Sequence, residues 1–184
     1  MKKFTLLAGV ALFSILSASA QKEPVDYVNP FIGTTNYGTT NPGALCPQGM
    51  MSVTPFNVMG DASENKINKD KTWWSTPYEF NNKYLTGFAH VNLSGVGCPE
   101  LGSLLLMPTT GELNVDYQNY GSVYSQEAAT PGYYTNKLDK YGIKCELTAT
   151  PRTSLARFTF PAGQGNILMN LGEGLTNESG ATVR

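Results

Sequence analysis

From residue 143 to residue 171 the chain is written in twos. Ile143, Cys145, Leu147 and Ala149 alternate with Lys144, Glu146 and Thr148, and residues two apart share one face of an extended strand. Pro151 breaks the run. Ala156, Phe158 and Phe160 then alternate with Leu155, Arg157 and Thr159, and after a connection over 161–166, Ile167, Met169 and Leu171 predict one apolar face of a further strand. No segment after the first twenty residues has a helical period. Strands at close spacing with turn signals between them predict an all-β, antiparallel β-sandwich rather than βαβ units.

Residues 87–111, GFAHVNLSGVGCPELGSLLLMPTTG, organise the upstream half. They open with aromatics and the single histidine, His90. A glycine-rich turn follows, Ser94-Gly95-Val96-Gly97-Cys98-Pro99. The run Leu104-Leu105-Leu106-Met107, stopped by Pro108 and Gly111, predicts a strand buried on both faces. Gly95, Gly97 and Gly102 lack a Cβ and let backbone approach a neighbour closely.

Residues 1–20 read as a signal peptide: Lys2 and Lys3, an apolar stretch from Phe4 to Leu16, and the small-x-small site Ala18-Ser19-Ala20. The apolar run is too short for a typical membrane span. An exported protein with no membrane span after cleavage is therefore expected, and residues 21–184 form one domain. With 13 Lys and Arg against 14 Asp and Glu, the formal net charge is −1, which gives no electrostatic footprint for nucleic acid. Cys46, Cys98 and Cys145 stand roughly fifty residues apart and fit no zinc motif. Buried free thiols are the expectation.

In the remaining chain, a strand is predicted at 50–54, ended by Pro55, and a polar surface loop at 57–71. A strand is expected over 84–91. Leu113-Asn114-Val115-Asp116-Tyr117 predicts another, followed by a loop to Pro131-Gly132 and a strand at 133–138. Trp73 and Trp74 are adjacent, so in a regular element they point in different directions. One ring can then serve the core while the other faces a groove, where the C–H face of a sugar packs on a flat apolar surface; packing of both rings in the core or its rim is the alternative.

Catalytic signatures are sparse. Ser94 lies outside any G-x-S-x-G elbow, and Glu100 stands where a dinucleotide fingerprint needs glycine. A catalytic triad would require His90, which has no local orienting partner in sequence. One histidine cannot build a histidine metal cluster, and no EF-hand loop is present. Glu100 is the best-placed acid; Asp61, Glu64, Asp70, Asp139 and Glu146 read as solvated surface charges.

Tyr27-Val28-Asn29-Pro30-Phe31-Ile32-Gly33-Thr34, Pro42-Gly43-Ala44 with Pro47-Gln48-Gly49-Met50, and Gly87-Phe88-Ala89-His90-Val91-Asn92-Leu93-Ser94-Gly95-Val96-Gly97 fall in order along the chain. So do Leu106-Met107-Pro108-Thr109-Thr110-Gly111, Pro131-Gly132-Tyr133-Tyr134 and Leu147-Thr148-Ala149-Thr150-Pro151-Arg152. Together they resemble the N-terminal domain of glycoside hydrolase family 92. The resemblance implies an exported, calcium-dependent, exo-acting α-mannosidase that inverts configuration. It also implies a β-sandwich packed on a C-terminal (α/α)6 barrel, with acid, base and calcium ligands mainly from the barrel. This chain would then hold an incomplete sandwich and no barrel. It would bind no metal itself, carry no catalytic residue and be inactive in isolation, its partners being that barrel and mannose-containing glycans. Trp74, with Trp73 as the alternative, His90, Asn92, Ser94, Gly95 and Gly97 are the substrate-binding candidates. His90-Val91-Asn92 departs from the family's His-Thr-His by placing asparagine at the second position. A stand-alone carbohydrate-binding sandwich and a purely structural surface domain are the competing readings.

Overall fold

The computed structural model describes residues 22–35, 38–58, 60–61, 66–67, 76–93, 95, 101–116, 118–172, 174–175 and 181–182. The expected signal peptide, Trp73, Trp74, Ser94, Gly97, Cys98 and Glu100 lie outside them. Among the described residues there is one 3-10 turn, Pro24–Tyr27, and twelve strands. These are β1 (Ala44–Leu45), β2 (Ser52–Phe56), β3 (Gly60–Asp61), β4 (Lys66–Ile67), β5 (Tyr84–Leu85), β6 (Gly87–Asn92), β7 (Leu101–Thr110), β8 (Ser122–Thr130), β9 (Tyr133–Leu138), β10 (Ile143–Ala149), β11 (Ser154–Thr159) and β12 (Gly165–Asn170). The first sheet runs β1-β2-β6-β7-β12, the second β11-β10-β9-β8-β5, and β3-β4 make a separate hairpin. Neighbouring strands are antiparallel, as the all-β sandwich expectation requires.

The core lies between the sheets because both inner faces obey the period of two. Val53, Phe88 and Met107 come from the first sheet; Tyr134, Leu138, Ile143, Cys145 and Leu147 come from the second. Phe88 stacks on Phe158 of the opposite sheet with ring centroids 5.9 Å apart. Ala156 and Phe158 pack on this core, and Leu155 and Arg157 face outward, as their alternation predicts.

Several expected elements differ. The strand expected over 84–91 is two strands in different sheets, because the chain crosses the sandwich at Thr86. The Thr86 amide and hydroxyl both donate to the Phe56 carbonyl, at 2.9 and 3.1 Å. A Cβ on Gly87 would stand only 3.2 Å from that of Leu105, so a side chain there would crowd the crossing. Pro55 does not end β2 but sits inside it, opposite Phe88. The neighbour on its other side, β1, pairs only with Ser52 and Val53, so the missing N–H falls beside an open edge. Asn57 is not surface loop: it is fully buried, its amide nitrogen donating to the Glu79 and Asn82 carbonyls and its oxygen accepting from the Glu79 N–H.

The expected strand at 113–117 is irregular chain over 113–116. Asn114 and Asp116 turn their side-chain oxygens onto backbone N–H groups two residues ahead, at 2.8 and 3.1 Å, and such local bonds compete with a ladder. The expected loop before Pro131 contains the nine-residue β8. Its pairing with β9 gains one residue between Ser125 and Ala128, and Gln126 takes φ 51°. That bulge turns Tyr124, Glu127 and Ala129 inward, which erases the period-two signal.

β7 continues through Pro108 to Thr110, and its apolar run is not buried on both faces, since Leu104 is exposed. β12 forms where expected with the opposite face inward. Leu168 sits against Met107 and packs on the core, while Ile167 and Met169 face solvent. Cys145 is a buried free thiol; Cys46 is free and half-buried, its Sγ donating to the Ala149 carbonyl.

Phe88→Ala is expected to cost about 3–5 kcal/mol in urea unfolding, the range for emptying a buried aromatic site. Met169→Ala, at a solvent-facing position, is expected to stay within about 0.5 kcal/mol.

Candidate functional site

The end of the first sheet where β6 finishes and β7 begins gathers the described candidates. Val53 pairs with His90, His90 with Ser103, and Asn92 with Leu101. Between Phe88 and His90 the facing strand has one residue more, since Phe88 pairs with Leu106 and His90 with Ser103. The extra residue is a bulge at Leu104, at φ 55°, and bulges of this kind re-aim a group. Here the group is a carbonyl: Leu104 O lies 2.8 Å from His90 Nδ1. A carbonyl oxygen only accepts, so Nδ1 carries the proton. In neutral His90 the other ring nitrogen, Nε2, is then an acceptor. The histidine without an orienting partner in sequence is thus oriented by backbone, in a residue 8% exposed.

Asn92 is fixed two residues on. Its amide N–H donates to Ser52 Oγ at 2.8 Å, and its Nδ2 donates to the Ala89 carbonyl at 3.0 Å. Its Oδ1 is buried without a hydrogen-bond partner. A Cβ on Gly102 would stand 3.1 Å from that oxygen, so Gly102 is the close approach expected of it. Gly95 N donates to the Thr39 carbonyl at 2.9 Å, which ties the glycine-rich turn to the loop over 38–43. Asn41 in that loop accepts from Gly43 N and from the Thr54 hydroxyl.

Backbone strain concentrates at the same end. Five non-glycine residues among those described have positive φ, and Val91, Leu101 and Leu104 are three of them. For a β-branched valine this is a steric outlier, and such strain gathers at binding and catalytic sites. Around it stand the exposed side chains of Val91, Leu93, Leu101 and Leu104, an apolar rim. The structure therefore sets His90 and Asn92 two residues apart at the end of β6 and ties Gly95 to the loop over 38–43. Trp73, Trp74, Ser94 and Gly97 lie outside the described residues.

Sequence reasoning missed two charged clusters. Glu127, aimed inward by the β8 bulge, accepts from the Tyr78 and Tyr134 hydroxyls at 2.9 and 2.7 Å, and from Lys83 Nζ at 2.7 Å. Burial first, and the Glu127 charge after it, push the Tyr134 and Tyr124 hydroxyls upward, so both remain protonated. Lys83 also lies 4.3 Å from the centre of the Phe80 ring. The second cluster corrects the surface-charge reading of Glu146. It sits on the outer face of β10 but is covered by its own partners. The Arg157 guanidinium, with two bonds of 2.8 Å, then the Tyr133 hydroxyl and the Lys144 ammonium hold its carboxyl down to about 2. Both carboxylates are taken up by the fold: Glu127 by two tyrosine hydroxyls and Lys83, Glu146 by Arg157, Tyr133 and Lys144. A cleft of about 420 Å³ lined by Val28, Pro30, Leu45, Cys46 and Pro131 contains no charged group and none of the candidates. Among the described residues no three His, Cys, Asp or Glu side chains come together. They offer no side-chain cradle for calcium.

An antiparallel sandwich with a strained, apolar-rimmed end is a class shared by many binding and enzyme modules. The comparisons narrow it. Residues 27–184 match the glycosyl hydrolase family 92 N-terminal domain, and the chain belongs to that family. It is 30% identical over 166 residues to an uncharacterized secreted glycosidase of Arthroderma benhamiae, covering 85% of this chain and 20% of that protein. It superposes on the family GH92 alpha-mannosidase BT3965 of Bacteroides thetaiotaomicron with a TM-score of 0.73 at 34% identity, covering 84% of this chain and 21% of that one. On the family GH92 inverting mannosidase BT2199 of the same organism the TM-score is 0.56 at 25% identity, over 77% of this chain and 19% of that one. The chain thus spans about a fifth of the length of these relatives.

Glu146 sets an acid-range expectation. Its folded value lies below the ordinary 4.5, so its contribution to stability is complete above about 4.5 and fades as the pH falls toward about 2. Melting temperatures measured between about pH 6 and about pH 2 should fall more steeply for the unaltered chain than for Glu146→Gln over that interval.

Proposed function

We propose that this chain is the substrate-side wall of an exported α-mannosidase that hydrolyses terminal α-mannosyl linkages of glycans with inversion. The observation that carries the reading is the end of β6. There His90, Asn92 and Gly95 are held by backbone bonds within a strained rim, in a fold belonging to a glycosidase family. Support comes from the relatives, one named an alpha-mannosidase, one an inverting mannosidase and one a secreted glycosidase. No described helix is long and apolar enough to cross a membrane, which is compatible with export.

Inversion needs a general acid and a general base roughly 6.5–9.5 Å apart, with a water between the base and the sugar. Two enclosed carboxylates, Glu127 and Glu146, are committed to Lys83 and Arg157. Acid, base and calcium are accordingly assigned to the C-terminal domain of the family, packed against the apolar rim of Val91, Leu93, Leu101 and Leu104. This chain supplies His90 Nε2 as an acceptor for a sugar hydroxyl and Trp74, with Trp73 as the alternative, as the stacking surface. Ser94, Gly95 and Gly97 are the further candidates for substrate contact.

Two measurements test this. The purified 184-residue chain, with host enzymes excluded, should give no turnover of an aryl α-mannoside. A product that also carries the C-terminal domain should turn it over, and Trp74→Ala should lower its kcat/KM by about tenfold, equal to about 1.4 kcal/mol. Turnover by the short chain, or a full-length enzyme indifferent to Trp74 and Trp73, would contradict the assignment.

A further inference from the structure

Three consecutive residues of β2 bear on the candidate site. Val53 stands opposite His90, where the pairing of β2 with β6 ends. Ser52 and Thr54 flank it and point to the other face of the sheet. Both are buried, at 7% and 0% exposed, and a buried hydroxyl is costly unless it is bonded. Each is bonded to a different segment of the site.

Ser52 holds the end of β6. Beyond His90, Val91 takes φ 55° and the ladder with β2 is not continued. The Asn92 N–H donates instead to Ser52 Oγ at 2.8 Å, and that hydroxyl donates to the Asn92 carbonyl at 3.4 Å. One side chain thus takes the place of the next pair of ladder bonds. Thr54 holds the loop over 38–43. Its hydroxyl donates to Asn41 Oδ1 at 2.9 Å, and the same oxygen accepts from the Gly43 N–H at 3.1 Å. A Cβ on Gly43 would overlap Thr54 Oγ1, so the loop lies on the strand only because glycine stands there. On its other side the loop is anchored by Thr40, whose N–H and hydroxyl donate to the Gly33 and Ile32 carbonyls at 3.3 and 2.7 Å. Thr39 is held next to these anchors, and its carbonyl is the acceptor for the Gly95 N–H at 2.9 Å.

We propose that Ser52 and Thr54 are positioning residues of the site: Ser52 sets Asn92, and Thr54, through Asn41, sets the Thr39 carbonyl and with it Gly95. The inference rests on the reading of the β6 end as the sugar-facing wall. Both hydroxyls are committed within the fold, so they act on the sugar through Asn92 and Gly95. Their loss falls on substrate binding and leaves the chemical step unaltered.

The test uses a product that also carries the C-terminal domain. Thr54→Val keeps the shape of the side chain and removes the donor. It should speed hydrogen exchange over 38–43 and at Gly95, leave β10 unchanged, and raise KM for an aryl α-mannoside by about threefold to tenfold, the range of one lost hydrogen bond, at constant kcat. Thr54→Ser should restore both readouts. Asn41→Ala removes the same bond from the loop side, and the double variant should bind no worse than the weaker single one, because the shared bond is lost once. Ser52→Ala should speed exchange at Asn92 and leave 38–43 unchanged. Unaltered exchange at Gly95 in Thr54→Val would overturn the positioning role whatever the substrate. So would a lowered melting temperature with KM unchanged, or additive effects of Asn41→Ala and Thr54→Val. If Trp74→Ala weakens turnover and Thr54→Val does not, the positioning role alone fails; if neither does, the wall reading fails with it.

Discussion

Phe88 lying on Phe158 across the sandwich fixes where the site can be. Once this ring is buried, the period of two on β6 sets the position of His90, two residues along the same strand. The crossing at Thr86 delivers the chain to β6, and the Thr86 bonds to Phe56 start that strand one residue before Phe88. The rim is therefore an extension of the core: the packing that stabilises the domain also places its candidate ligand contacts.

Two bulges do the rest, in opposite sheets. In β7 the extra residue turns the Leu104 carbonyl to His90 and sets which ring nitrogen carries the proton. In β8 the extra residue turns Glu127 inward, where two tyrosine hydroxyls and Lys83 neutralise it. The outcomes differ in chemistry. The first fixes the ring and tautomer of His90 at a strained strand end. The second leaves a carboxylate bound by Tyr78, Tyr134 and Lys83, which ties residues 78–83 to the second sheet. A regular ladder at either place would face a different side chain to the same spot.

How much of this was legible in the sequence depends on where the period of two survives. It survives in β10 and β11, and those strands form where their alternation places them, while β9 was legible only as a β-prone run. It fails in β8 because the bulge shifts inward parity from Gln126 to Glu127. It misleads at 113–116, where Asn114 and Asp116 satisfy backbone N–H groups locally. For β12 the strand was legible and its face was not, since the buried residue is chosen by register against Met107 and not by the larger apolar set. At the candidate site, His90 and Asn92 were found through family resemblance and their shared face. The Leu104 carbonyl that orients His90 had no signal, because a backbone group leaves none in side-chain pattern.

Mannoside contact at the end of β6, in a wall whose chemistry is supplied elsewhere, is the central proposal. Amide and ring-proton NMR shifts of the chain titrated with methyl α-mannoside test it most directly. The result it requires is a localised set of shifts at His90, Asn92 and Gly95, with the Nδ1–H resonance of His90 retained. Shifts confined to the cleft at Val28, Leu45 and Cys46, or spectra unchanged at saturating sugar, would contradict it.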